Sequence, residues 1–212
     1  MKSLMYKEFH LVISPMFYLV LLFGALLLIP QWVYLVAPSY FLFITVPNLF
    51  AIAKAQNDIG FSAMLPVRRN DIVKSRILSL ITLEVLQILV TAIFAVVNLA
   101  IYPEENFVLD TNATFIGCVF IEYAIYNAVF FPMFYKTAYK IGVPILAACS
   151  AALLFAVGVE FLIAFVPGLK VLDGREHIAA QLSVLVGGII IFVLLNILAY
   201  KKSAKNFERV NL

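Results

Sequence analysis

Three glutamates lie inside long apolar stretches of this sequence: Glu84, Glu122 and Glu160. A charged side chain at the centre of a bilayer costs about 2.5–3.5 kcal/mol on insertion scales, so such residues normally face a bundle interior or a cavity. There they can line a path for an amphipathic or cationic molecule, and Asn127 joins them as a candidate. They can equally form hydrogen bonds between helices, which would make Glu84 and Glu122 structural.

Other residue types offer little enzyme chemistry. A membrane-embedded serine protease needs a histidine within its spans, but His10 and His177 both lie outside the apolar runs. An intramembrane metalloprotease would pair adjacent glutamates with a nearby arginine and membrane histidines. The pair Glu104 and Glu105 lies in a loop and is followed by Asn-Phe-Val-Leu instead. The sequence therefore predicts neither a catalytic residue nor a metal ligand.

The composition restricts the class of protein. Hydrophobic residues make up 64% of the 212 residues, charged residues make up 13%, and the mean hydropathy is +1.04. A soluble domain is normally about half apolar and a quarter charged, so lipid is the expected solvent here. Cys118 and Cys149 both fall in apolar runs, which gives no support to a disulfide scaffold. The net charge of +3 does not indicate a nucleic-acid partner, because the placement of the basic residues is that expected of a membrane protein.

Six apolar runs divide the chain, and each can cross a hydrocarbon core as a helix of about 20 residues. Backbone groups in lipid must be paired within their own segment, and no run alternates as the strands of a barrel would. The sequence therefore predicts an all-α membrane protein with a single transmembrane domain over residues 1–212. The predicted spans are residues 11–29, 33–53, 77–102, 113–135, 141–167 and 180–200.

Basic residues lie almost entirely on one side of this arrangement. Of the 15 lysines and arginines, only Lys170 and Arg175 fall on the other side. The positive-inside rule makes the basic side cytoplasmic, so both termini are predicted to be cytoplasmic.

Two boundaries have alternatives. A short amphipathic helix at the inner surface could end at Ser14 and Pro15, with the first span starting at Met16 and residues 31–39 lying at the outer interface. Gly158 could similarly break the fifth span and leave residues 159–171 as a short helix that enters from outside.

One predicted cytoplasmic connection, residues 54–76, is long and contains a cluster of apolar side chains. Such a cluster marks a contact surface, with either a partner protein or the lipid headgroups. Asn57 can cap a short helix that ends before Pro66. Asn70 can cap a second helix that begins at Asp71 and continues into the third span.

The stretch Leu-Pro-Val-Arg-Arg-Asn-Asp-Ile-Val-Lys-Ser-Arg, residues 65–76, resembles the ABC-2 type transporter permeases, especially the small bacterial ones. They carry leucine, proline, valine or isoleucine, serine or a basic residue, and arginine, then an acidic residue, Ile-Val and lysine. The order of a basic N-terminal segment, two spans, this loop and four spans also resembles theirs, as does the tail, residues 201–208. This sequence departs in having Arg68 where serine is frequent and Ser75-Arg76 where a lysine–tyrosine pair is frequent.

The resemblance implies that residues 57–64 form a coupling helix between spans two and three. That helix would dock on a separate ATPase subunit, and the N-terminal segment would be a short amphipathic helix at the membrane surface beside it. Asp58 and Phe61 are the expected main contacts. The full set of docking candidates is Asn57, Asp58, Phe61, Met64, Arg68 and Arg69.

The resemblance also implies a transport subunit rather than an enzyme. No G-x-x-x-x-G-K-[ST] run occurs, so ATP and Mg²⁺ are expected on a cognate ABC ATPase and not on this chain. A second permease, identical or paralogous, is expected as a partner in the plasma membrane of a bacterium. The expected activity is export of an amphipathic peptide or drug-like molecule.

The main alternative is a substrate-binding membrane subunit of a vitamin uptake system. Such a subunit also has about six spans and no ATPase of its own. It would dock through small-residue motifs on a helix, and not through a long cytoplasmic loop that contains proline.

Overall fold

The computed structural model describes residues 2–13, 15–64, 66–102, 106–173 and 177–210, and every regular element in these ranges is helical. The α-helices are α1 (Lys2–Lys7), α2 (Met16–Val20), α3 (Val36–Ala55), α4 (Asp58–Met64), α5 (Arg69–Ile101), α6 (Ala113–Phe134), α7 (Gly142–Phe165) and α8 (Ile178–Glu208). A π-helical turn follows α1 (Glu8–Val12), and 3-10 segments follow α2 (Leu21–Leu28) and α7 (Pro167–Leu172). The predicted all-α class is confirmed. Of the residues discussed above, Ser14, Leu65, Glu104, Glu105 and Arg175 lie outside the described residues.

Among the residues that the structure describes, five helices are long and apolar enough to cross a membrane: α3, α5, α6, α7 and α8. They correspond to the second to sixth predicted spans. The predicted first span, residues 11–29, is not a single α-helix. The helical part of that region covers Met16–Leu28, and more than half of it is 3-10 helix.

The start of the chain follows the alternative boundary. Helical structure ends at Val12, Ile13 has an extended backbone, and α2 begins at Met16 directly after Pro15. Pro15 precedes α2 with a φ of −51°, which suits the start of a helix. The predicted second span begins three residues late, at Val36, because residues 29–35 form turns.

The loop after α3 folds largely as predicted. Asn57 has a positive φ of 49°, which asparagine tolerates, and its carbonyl accepts the N–H of Phe61 as α4 starts. α5 begins at Arg69 and not at Asp71. The expectation that Asn70 caps it is wrong, because Arg68 precedes the helix and the Asn70 side chain donates to Glu208 instead.

The fifth predicted span is continuous. α7 runs through Gly158 to Phe165, so the expected break at Gly158 is wrong. The helix ends just before Pro167, which has no N–H to continue it and starts the 3-10 segment.

α6 lies at the centre of the bundle, between α7 and α8, and most of its apolar window is buried. α5 packs against α8 and against the 3-10 segment after α2, and α3 packs against α7. This places the polar side chains of α5 and α6 in the interior of the bundle.

The bundle has two distinct ends. At one end, which we call the α4 end, the first turns of α5 contact both α4 and the last turn of α8. At the other, the loop end, three connections are joined by hydrogen bonds. Asn106 Nδ2 donates to Trp32 O at 2.9 Å, and Thr114 Oγ1 donates to Leu172 O at 2.7 Å.

Candidate docking face and intramembrane polar sites

The helix α4 has one face turned into the protein and one turned out. Asp58 and Ser62, one turn apart, are buried. Phe61 and Met64, also one turn apart, are 58% and 83% exposed. Two large apolar side chains are thus exposed on the surface at the α4 end. A solvated helix face gains nothing from such residues, so they indicate a contact surface.

A cluster of four charged side chains holds α4 against the bundle. Arg76 of α5 pairs with Glu8 through Nε and Oε2 at 2.6 Å, and it also pairs with Asp58. Lys7 Nζ lies 2.7 Å from Asp58 Oδ1 and donates to Ser62 Oγ at 2.8 Å. We call Lys7, Glu8, Asp58 and Arg76 the charge cluster. It contains two positive and two negative groups and joins the N-terminal segment, α4 and α5.

The charge cluster is buried, which distinguishes it from an ion pair on the protein surface. Arg76 is 4% exposed and Glu8 is 1% exposed. The Arg76 guanidinium also lies over the ring of Phe50 in α3, 5.7 Å from its centroid. Buried ion pairs require full charge matching, since removal of one partner leaves an uncompensated charge.

The structure separates the predicted docking residues into two groups. Asn57, Phe61, Met64 and Arg68 are exposed at the α4 end. Asp58 is buried, with its two carboxylate oxygens paired to Lys7 and Arg76. A role for Asp58 as a partner contact stays a prediction, which its burial does not favour.

Arg69 contacts the C-terminal tail of the same chain. Its Nη1 donates to Val210 O at 2.9 Å and to Glu208 O at 3.3 Å, and Asn70 Nδ2 donates to Glu208 Oε1 at 2.9 Å. These bonds fix the end of α8 beside the start of α5. The basic stretch before the third span therefore binds, in part, within its own chain.

Among the intramembrane candidates, the structure brings Glu84 and Asn127 together. Asn127 Nδ2 donates to Glu84 Oε2 at 2.8 Å and to Asn196 Oδ1 at 3.0 Å. Glu84 and Asn127 are fully buried, and Asn196 is 5% exposed. This polar group joins α5, α6 and α8 in the bundle interior, as expected of hydrogen bonds between helices.

Glu122 and Glu160 have partners one helical turn apart at the start of α3. Glu122 accepts a short hydrogen bond from Ser39 of α3, and Glu160 Oε1 accepts the backbone N–H of Leu35 at 2.6 Å. The second oxygens of all three glutamates (Glu84 Oε1, Glu122 Oε2 and Glu160 Oε2) have no hydrogen-bond partner within the described chain. Each carboxyl group is thus fixed by one oxygen and has acceptor capacity left.

Sequence reasoning missed the contribution of Lys7, Glu8 and Arg76. A signal was present: Arg76 immediately precedes an apolar run, and Glu8 is an isolated acid in a basic segment. Their pairing depends on contacts across 68 residues, which no local pattern specifies.

A family model described as ABC-2 family transporter protein matches residues 3–208, and the chain therefore belongs to that family. It is a multi-pass membrane protein, the permease type of subunit of an ABC transporter, which confirms the resemblance found in residues 65–76. Neither the curated proteins nor the solved structures contain a significant match to the chain.

Proposed function

We propose that this chain is the membrane subunit of a bacterial plasma-membrane exporter, driven by ATP that a separate ATPase subunit binds with Mg²⁺ and hydrolyses. The observation that carries the proposal is the two-faced helix α4. Its outer face offers Phe61 and Met64, and its inner face is held to the bundle by the charge cluster. The family and the acidic intramembrane residues support the proposed export direction and an amphipathic peptide or drug-like substrate.

We infer six crossings, with both termini and α4 on the cytoplasmic side. The segments Glu8–Val12 and Met16–Leu28 lie along α5, since Glu8 contacts Arg76 near its start and Asn98 donates to Leu27 O near its end. At 1.5 Å per residue, α5 advances about 33 Å between Arg76 and Asn98. A hydrocarbon core is about 30 Å thick, so these two segments together extend over a full crossing. The 3-10 segment rises about 2.0 Å per residue, which is more than an α-helix does. Fewer residues are therefore needed to span the hydrocarbon core.

Docking would use the exposed apolar pair of α4. A partner groove that buries Phe61 and Met64 gains hydrophobic energy and leaves no charged group unpaired. The 212 residues contain no phosphate-binding G-x-x-x-x-G-K-[ST] run, which supports an ATPase on another chain.

Movement of the docked helix would reach the spans through the charge cluster. Asp58 and Arg76 connect α4 to α5, and α5 is a single helix of 33 residues that extends from the α4 end to the loop end. A displaced α4 would therefore move α5 as a rigid body, together with the N-terminal segment paired to Arg76. In this proposal Asp58 positions α4 and does not contact the ATPase.

A second permease, identical or paralogous, would complete the path. Glu84, Asn127 and Asn196 are buried and bonded to one another inside this bundle. These hydrogen bonds stabilise the bundle and engage the polar side chains that the three helices share. We therefore place the path between two permeases.

The substitution Phe61→Asp tests the docking face. We expect it to weaken association with the ATPase by roughly 30-fold, because loss of a buried aromatic anchor typically costs about 2 kcal/mol or more. The measurement is retention of the cognate ATPase on the tagged permease after mild solubilisation. Ile178→Asp is the control, since Ile178 is exposed at 61% but lies at the loop end, away from α4.

An unchanged retention of the ATPase by the Phe61→Asp variant would refute docking through α4. Capture of an additional large membrane coupling protein by the unsubstituted chain would instead favour a vitamin uptake system.

A further inference from the structure

A cavity of about 480 Å³ lies at the loop end, between α3, α7 and the segment 106–110. Its size falls within the range of sites for drug-sized ligands, about 300–1,000 Å³. Aromatic rings form much of its wall. They belong to Trp32, Tyr40, Phe107, Phe161 and Phe165.

Glu160 is the single charged residue among the described residues that line this cavity. It is 1% exposed, and one oxygen is held by the N–H of Leu35 at 2.6 Å. The other oxygen, Oε2, has no hydrogen-bond partner within the described chain. The described lining therefore combines aromatic side chains with one positioned carboxyl group and contains no basic side chain.

This combination selects for a particular ligand chemistry. Aromatic faces attract cations through their quadrupole, and they also bury apolar groups attached to the charge. A carboxylate nearby adds charge complementarity, which a neutral ligand cannot use and an anion would oppose. We propose that this cavity binds a hydrophobic organic cation, with its charge beside Glu160 and its apolar groups against the aromatic wall.

The proposal rests on the proposed exporter function, for which it names the substrate class. At the loop end the cavity would hold a lipophilic ammonium or phosphonium compound near the outer side of the membrane. Glu160, a candidate for the translocation path, thereby receives a specific role as the group that recognises positive charge.

Trp32 is the one tryptophan of the chain, and it lines the cavity, so its fluorescence reports occupancy directly. The experiment titrates the full-length chain, purified in a neutral detergent, with tetraphenylphosphonium. Triphenylphosphine oxide, which is uncharged, and tetraphenylborate, which is anionic, serve as comparisons. We expect a saturable change in tryptophan emission with the cation, and binding weaker by about tenfold or more for the other two.

The variant Glu160→Gln removes the charge and keeps an oxygen that can accept the N–H of Leu35. We expect it to raise the dissociation constant for tetraphenylphosphonium by about tenfold while the neutral compound binds as before. Glu208→Gln, a carboxylate removed at the opposite end, is expected to leave binding unchanged. Equal binding of cation and neutral compound by the unsubstituted chain would overturn the proposal, even if Glu160→Gln failed to fold.

Absence of any saturable emission change with the cation would overturn it as well. Because the titration needs no ATPase, its failure is distinguishable from failure of the exporter proposal. ATPase retention would then persist while cation binding was absent. Conversely, cation binding by a chain that retains no ATPase would contradict the exporter function and leave the cavity assignment in place.

Discussion

Replacement of Arg76 with alanine is expected to destabilise the protein by about 3–5 kcal/mol, the usual cost of breaking a buried ion pair from one side. The reason lies in the charge balance of the cluster. Without Arg76, the carboxylates of Glu8 and Asp58 would share Lys7 alone, and Glu8 is 1% exposed. The measurement is the free energy of unfolding in a detergent titration. We also expect faster proteolysis of α4, because its connection to α5 would be lost.

Lys74→Ala is the matched control, because Lys74 is an exposed basic residue on the same helix. It should change stability by less than about 0.5 kcal/mol, as surface substitutions usually do. The double variant Arg76→Gln with Glu8→Gln removes one charge of each sign and should recover part of the loss. If Arg76→Ala were as stable as Lys74→Ala, the cluster would not hold α4 in place.

The second large effect is expected at Gly188, where α8 crosses α6. A Cβ added at Gly188 would lie 2.9 Å from the carbonyl carbon of Gly117 and would also contact its oxygen. These are backbone atoms, so the two helices would have to separate. We expect Gly188→Ala to destabilise the protein by about 1–3 kcal/mol, the usual cost of overpacking, with thermal unfolding in detergent as the measurement.

Gly187→Ala provides the control one residue away, since beyond its own stretch of helix backbone no heavy atom of the described chain lies within 4 Å of a Cβ at Gly187. Alanine is the better helix former by about 1 kcal/mol, so this variant should be neutral or slightly more stable. The two substitutions are therefore expected to have opposite signs. A stabilising Gly188→Ala would show that the close contact between α6 and α8 is absent in the membrane.

The sequence predicted the long spans well because lipid imposes a simple requirement. A run of about 20 mostly apolar residues must form a helix with all backbone groups paired, and α3, α5, α6, α7 and α8 satisfy this requirement. The short helix α4 was predicted from Asn57 and Pro66, which are strong local signals. These features depend on neighbours in the chain.

Features that depend on packing were not predictable in the same way. Residues Leu21–Leu28 are uniformly apolar and carry no period that distinguishes 3-10 from α-helix. The adjacent Gly187 and Gly188 look alike in sequence, yet only Gly188 meets Gly117. Glu8 and Arg76 pair across 68 residues, and this contact buries Asp58, which the family resemblance had suggested as a partner contact.

For the intramembrane glutamates, burial was predictable from the sequence but the hydrogen-bond partners were not. Their position in apolar runs predicted that they face the interior, and all three are buried. Their partners could not be predicted, because Ser39 and the backbone of Leu35 are residues that many sequences contain. Glu160 Oε2 has no hydrogen-bond partner within the described chain, and only the aromatic cavity beside it suggests a ligand for this oxygen.

The most direct test of the account is cross-linking from α4 in native membranes. Met64→Cys, labelled with a thiol-specific photo-crosslinker, should form an adduct with the cognate ABC ATPase, because Met64 is 83% exposed on the proposed docking face. Ile178→Cys, exposed at the loop end, should not, and the unsubstituted chain controls for Cys118 and Cys149. An ATPase adduct from Ile178→Cys but none from Met64→Cys would contradict the cytoplasmic docking role of α4.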